Sequence, residues 1–161
     1  MMPVLKNYAN ILFVCTGNIC RSPMAEGILK KLLHDARLDE ISAASAGVCA
    51  LPGNPASSLA RRVAAENGVD LSKHRARPVS SDIMDQSDLV LGMEPSHRHD
   101  LIADYPGAKS RIFLARCFAD AGSNPRSVAD PYGLRYESYR FCYIDLEDAV
   151  RGLVHHLKRR T

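Results

Sequence analysis

The chain has no tryptophan, and aromatic residues make up only 6% of its 161 residues. Its five cysteines are an odd number at irregular spacing. A secreted disulfide scaffold is therefore not expected, and a reducing, cytoplasmic setting is. Long apolar runs are missing too. The longest near the start, Ile11–Cys15, is too short for a membrane span or a signal-peptide core, so no membrane insertion is expected. The formal net charge is only +3, which gives no footprint for nucleic acid yet does not disfavour an anionic substrate. There is no repeat, no low-complexity tract and no linker long enough to divide the chain, so residues 1–161 read as one domain. A G-x-x-x-x-G-K-[ST] loop and a G-x-G-x-x-G turn are both absent, which removes the usual nucleotide-binding fingerprints.

What is present is an alternation of short apolar runs and amphipathic stretches. Ile11–Cys15, Ile41–Ala46, Asp88–Met93 and Arg111–Leu114 read as strands. Helices are expected from Pro23 to about Ala36, from Asn54-Pro55 to Gly68, from Pro95 to Ala103, and over Tyr136–Lys158 after a Gly/Asn/Pro-rich loop. In the last helix Tyr139, Tyr143, Val150, Leu153, Val154 and Leu157 are the candidate core positions. Four strands separated by helices predict an α/β fold, a parallel sheet with helices on both faces. The basic end, Lys158 to Arg160, reads as a solvated helix terminus.

The chemistry concentrates in the turn after the first strand, "VCTGNICRSP". In open parallel sheets ligands bind beyond the carboxyl ends of the strands. A helix beginning there offers unpaired N–H groups to an anion. Ser22 is expected to be its N-cap, with Pro23 following. Thr16, Gly17, Asn18, Ile19 and Cys20 can curl their N–H groups inward around a phosphate, with Gly17 or Asn18 supplying a left-handed residue. Arg21 closes the ring with a planar fork suited to two oxygens. Cys15 lies at the base, where the same donors favour a thiolate. A thiolate beneath a bound phosphate is placed to attack phosphorus. Cys-x4-Cys is not the spacing of common zinc sites, and no metal or other cofactor is expected.

"VCTGNICRSP", together with the later "DPYG" of Asp130–Gly133, resembles the low-molecular-weight protein tyrosine phosphatases over nearly the whole chain. The resemblance implies a single-domain, flavodoxin-like fold with a four-stranded parallel sheet. It implies Cys15 as nucleophile, Arg21 as phosphate clamp, Asp130 as general acid and Ser22 as hydrogen-bond donor to the thiolate. Asn18, Ser45 and His74 match residues that hold the loop, Tyr132 an aromatic wall of the cleft, and Cys20 a redox partner of the nucleophile. A phosphotyrosyl protein is the implied substrate. "SAGVCALPG" and "LVLGMEPSHRHDL" look like bacterial members that act with tyrosine autokinases in exopolysaccharide or capsule export. Gly133 stands where animal members carry a second tyrosine, and the cleft tryptophan of some members is missing.

Two rival functions share the anion loop. An arsenate reductase on this fold needs further redox cysteines after the third strand, and Gly92–Leu101 contains none. A non-catalytic phosphotyrosine-binding module is disfavoured by intact Cys15, Arg21 and Asp130. His97, His99, His155 and His156 read as solvated surface, and Cys49, Cys117 and Cys142 as small apolar fillers. The sequence leaves the oligomeric state open.

Overall fold

The computed structural model describes residue 3, residues 7–120 and residues 126–159. Four strands, β1 (Asn10–Cys15), β2 (Ser42–Gly47), β3 (Leu89–Gly92) and β4 (Ile112–Leu114), form one parallel sheet in the order β2-β1-β3-β4. Among the described residues five α-helices accompany them: α1 (Arg21–Asp35), α2 (Ser58–Glu66), α3 (Ser81–Asp85), α4 (Pro95–Asp104) and α5 (Tyr136–Lys158). This is the flavodoxin-like arrangement expected from the sequence. The expected Gly/Asn/Pro-rich loop falls partly on residues 121–125, and the end of the basic tail on Arg160, both outside the described residues.

The continuous apolar run of β1 follows from burial on both faces. Ile11, Phe13 and Cys15 belong to a core with residues of α1, α2 and α5. Leu12 and Val14 face the opposite way, into a core with Met84 of α3 and Leu101 of α4. Helix α1 buries Ala25, Ile28, Leu29 and Leu33, one stripe at helical spacing. Helix α5 buries all six candidate core positions, and also Cys142, Leu146, Ala149 and His156.

Several boundaries differ from expectation for local reasons. Helix α1 starts at Arg21, with Cys20 in the N-cap position, so Ser22 lies inside the first turn and its hydroxyl is free for the site. Helix α2 is capped by Ser57, whose Oγ accepts from the Ala60 N–H, rather than beginning at Asn54-Pro55. Gly68, at φ +78°, stands one residue past the Asn67 C-cap in the left-handed region. Helix α3 and two 3-10 turns, Pro106–Arg111 and Ala115–Phe118, were not anticipated; each is six residues or fewer.

The strand order reverses at β1. The chain leaves β1 toward β2 on one side and returns to β3 on the other. Loops after β1 and β3 therefore diverge and open a crevice at their carboxyl ends, the place where such sheets bind ligands.

Candidate active site

That crevice holds a cavity of about 260 Å³ lined by Cys15, Thr16, Gly17, Ile19, Cys20, Arg21, Cys49, Leu51, Asn54, Asp130 and Tyr132. The β1–α1 loop forms its floor. Asn18 adopts φ +55°, the left-handed residue that lets the loop curl. Of the two candidates for that role, Gly17 does not take a positive φ.

A buried polar lattice fixes the curl. Asn18 Nδ2 donates to Ser22 Oγ (2.8 Å) and to Ser45 Oγ (2.9 Å), and Asn18 Oδ1 accepts from the Arg77 N–H (3.0 Å). His74 Nε2 donates to the Asn18 carbonyl (2.7 Å), which assigns its tautomer. Ser45 Oγ in turn donates to Glu26 Oε1 (2.8 Å). Both amide hydrogens of Asn18 are spent on the two serines, so Ser22 keeps its own. Cys15 Sγ lies 2.9 Å from Ser22 Oγ, whereas the alternative acceptor, the Ala46 carbonyl, is 3.4 Å away. The Ser22 hydroxyl is thus within hydrogen-bond reach of both the Cys15 sulfur and the Ala46 carbonyl.

Arg21 is 2% exposed and is held from behind. Its Nη1 donates to Glu94 Oε2 (3.1 Å) and to the Val128 carbonyl (3.1 Å). These two bonds consume one end of the guanidinium and leave the Nε–H/Nη2 edge, the side suited to two anion oxygens. Asp130 Oδ2 approaches Nη2 loosely, at 3.5 Å. Asp130 is half exposed and sits in the Asp-Pro loop, with Oδ1 accepting from the Tyr132 N–H (3.1 Å). Burial pushes the Glu94 carboxyl up, but Ser96 and the Arg21 charge outweigh it and its pKa lies below the ordinary value.

Cys20 lines the cavity and turns its thiol to α5. Sγ donates to Ser57 Oγ (3.3 Å) and lies 3.6 Å from Tyr139 Oη. Burial pushes the Cys20 thiol up, with the Ser57 and Tyr139 hydrogen bonds opposing. At the cavity mouth Leu51 and Tyr132 are 69% and 64% exposed.

The structure brings together Cys15, the loop Thr16–Cys20, Arg21, Ser22, Ser45, His74, Asp130 and Tyr132. It also corrects three sequence readings. Cys49 is exposed at the cavity rather than an apolar filler. His97 is 1% exposed, because α4 begins at Pro95 and its first turn faces the β1 loop; Nε2 lies 2.9 Å from Thr16 Oγ1. His156 is buried edge-on against Phe118 (centroids 5.4 Å apart). Glu94, Arg77 and Glu26 were missed. Their partners lie 73, 32 and 19 residues away in the chain, separations that leave no local pattern to read.

A flavodoxin-like α/β domain with a cysteine beneath a curled loop, a buried arginine fork and a facing aspartate fits the class expected from the sequence, a low molecular weight phosphatase. The model of one family, low molecular weight phosphotyrosine protein phosphatase, matches residues 10–161, and the chain belongs to that family. It is 35% identical over 148 residues to a protein-arginine-phosphatase of Geobacillus stearothermophilus, covering 92% of this chain and 95% of that one. It is 37% identical over 150 residues to the probable low molecular weight protein-tyrosine-phosphatase AmsI of Erwinia amylovora, covering 93% and 98%. A solved structure of a YwlE arginine phosphatase variant, with a phosphorylated active-site serine, superposes with a TM-score of 0.87 at 32% identity, over 94% of this chain and 97% of that one. Among the described residues no helix is long and apolar enough to cross a membrane.

Proposed function

We propose that this chain hydrolyses phosphotyrosyl proteins through a phosphocysteine on Cys15. The observation that carries the reading is the Cys15 sulfur, 2.9 Å from the Ser22 hydroxyl, on the floor of the cavity that also holds the Arg21 fork and Asp130. Cys15 attacks phosphorus in line with the leaving oxygen. The loop N–H groups and the Nε–H/Nη2 edge of Arg21 hold the three equatorial oxygens, where charge spreads in the transition state. An incoming phosphate displaces Asp130 from its loose contact with Arg21 and frees its carboxyl for the leaving oxygen. Asp130 protonates that oxygen, then as a carboxylate takes the proton of the water that opens the phosphocysteine.

The leaving group is the finer question, since relatives of both tyrosine and arginine type match about equally well. Ile19, Leu51 and Tyr132 offer apolar walls to an aromatic ring. A phosphoarginine would bring several guanidinium N–H donors, and Asp130 is the only acidic side chain lining the cavity among the described residues. The aryl phosphate is therefore favoured. A bacterial tyrosine autokinase, with phosphotyrosines on an extended tail, is a partner of fitting chemistry.

Paired assays test this. The kcat/KM for a phosphotyrosyl peptide should exceed that for the matched phosphoarginyl peptide by at least about tenfold, or ~1.4 kcal/mol of transition-state binding. Cys15→Ser should lose turnover on both and still bind inorganic phosphate, because the cradle persists. A reversed preference assigns arginine-phosphatase activity, and turnover surviving in Cys15→Ser overturns the nucleophile.

A further inference from the structure

We propose that His97 is a positioning residue of the phosphate loop. From the first turn of α4 it pins Thr16, and with it the Cys15–Gly17 side of the loop, while Glu94 of the same turn pins Arg21. The proposal rests on the loop being a phosphate site.

The environment of His97 argues against a filler role. The ring is buried, yet Nδ1 has no hydrogen-bond partner among the described residues. A buried imidazole with one nitrogen unsatisfied is a costly way to fill space, and an apolar side chain of similar size would fill it at less cost. What the imidazole gains is its other nitrogen, Nε2, at 2.9 Å from Thr16 Oγ1. The tautomer follows from the same count. A proton on Nδ1 would be a buried, unmatched donor, so the proton sits on Nε2 and donates to the Thr16 hydroxyl. Burial and the nearby Arg21 charge both depress the His97 pKa, opposed by Glu94, Asp100 and Asp130, which keeps this neutral donor the resting form at neutral pH.

The backbone is shaped for the contact. Gly92 ends β3, and a Cβ there would lie 3.2 Å from the His97 Cβ and 3.4 Å from the Arg98 nitrogen. Its lack of a side chain lets the first turn of α4 close on the sheet end and reach the β1 loop. Glu94, at the start of that turn, accepts from Arg21 Nη1 with one oxygen and from Ser96 Oγ with the other, 3.0 Å away. His97 Nε2 lies 3.6 Å from Glu94 Oε1. One helical turn thus holds both ends of the anion ring, Thr16 at its start and Arg21 at its close.

The test is phosphate binding by calorimetry and steady-state kinetics on the full chain. His97→Ala should weaken inorganic phosphate binding and raise KM by about three- to tenfold, the range of one hydrogen bond. His97→Gln, whose amide reaches the Nε2 position, should recover most of that loss. Thr16→Val, altered on the exposed side of the contact, should reproduce the weakening. The double variant Thr16→Val/His97→Ala should lose no more than the worse single one. Equal losses in His97→Ala and His97→Gln, additive losses in the double variant, or parent-like binding by Thr16→Val would each overturn the proposal. If the parent chain binds phosphate but His97→Ala binds it equally well, this inference alone fails. A parent that binds none overturns the reading of the site as well.

Discussion

At the scale of single residues, the two loop cysteines are placed in opposite circumstances. Cys15 lies 2.9 Å from the Ser22 hydroxyl at the cavity floor, whereas Cys20 donates its own proton to Ser57 and is held protonated by burial. Peroxide should convert the Cys15 sulfur to a sulfenic acid. Cys20 then attacks that sulfur, hydroxide leaves, and the disulfide forestalls further, irreversible oxidation to the sulfinic acid. Since burial raises the Cys20 pKa, its thiolate grows more abundant as pH rises, so interception should improve with pH. After mild peroxide, the activity regained with a thiol reductant should increase from pH 6 to pH 9 in the parent. In Cys20→Ser it should stay low throughout. Peptide mapping should locate the bond between Cys15 and Cys20. A bond from Cys15 to the exposed Cys49, or full recovery in Cys20→Ser, would remove the protective role.

At the scale of elements, the loop is clamped between β2 and the segment leading to α3. Gly47 ends β2, and a Cβ on it would lie 2.5 Å from the Thr16 carbonyl and 3.0 Å from the Asn18 nitrogen. Both are loop backbone, which cannot yield as a flexible side chain would. Gly47→Ala should therefore displace the loop, lowering kcat/KM by on the order of a hundredfold through misplaced anion donors. It should also destabilise the fold by about 1–3 kcal/mol, the usual cost of overpacking. Denaturant titration beside the kinetics checks both, and unchanged kinetics would show the loop to be tolerant.

The same scale explains what could be read in advance. Strands β1 and β3 were legible because burial on both faces demands an unbroken apolar run, as in Ile11–Val14 and Leu89–Leu91. Helix α5 was legible because 23 residues carry a sustained 3.6-residue period. Helix α3 has too few residues to show a period at all. Cys15 and Arg21 stood out by type and spacing and Asp130 by the resemblance, and the fold lines one cavity with all three. The residues that orient them were not: His97 meets Thr16 across 81 positions, and only the strand order places α4 beside the β1 loop. Ser22 was misread as a cap because an N-cap serine and a serine two residues further on look alike beside Pro23.

At the scale of the whole molecule, the site is a junction of distant segments. Arg21 ties α1 to the β3–α4 turn through Glu94 and to the segment before Asp130 through Val128. Asn18 ties the loop to Ser45 on β2 and to Arg77 before α3. An anion seated in the loop therefore bears on contacts that only the folded chain possesses, and the unfolded chain has no equivalent site. Phosphate should act as a global stabiliser by mass action, about 2.7 kcal/mol when present at a hundred times its dissociation constant. For a chain of this length each kcal/mol raises Tm by roughly 2–4 °C. Saturating phosphate should thus raise Tm by about 5–10 °C over chloride at equal ionic strength. Cys15→Ser should keep that rise, since sulfur is the reacting atom and not a main anchor of the anion. Arg21→Lys keeps the charge but removes the two-pronged edge, so most of the rise should vanish. If Arg21→Lys shifts as far as the parent, the stabilisation comes from the general exclusion of phosphate from protein surface, and the buried arginine is not the anchor of the anion.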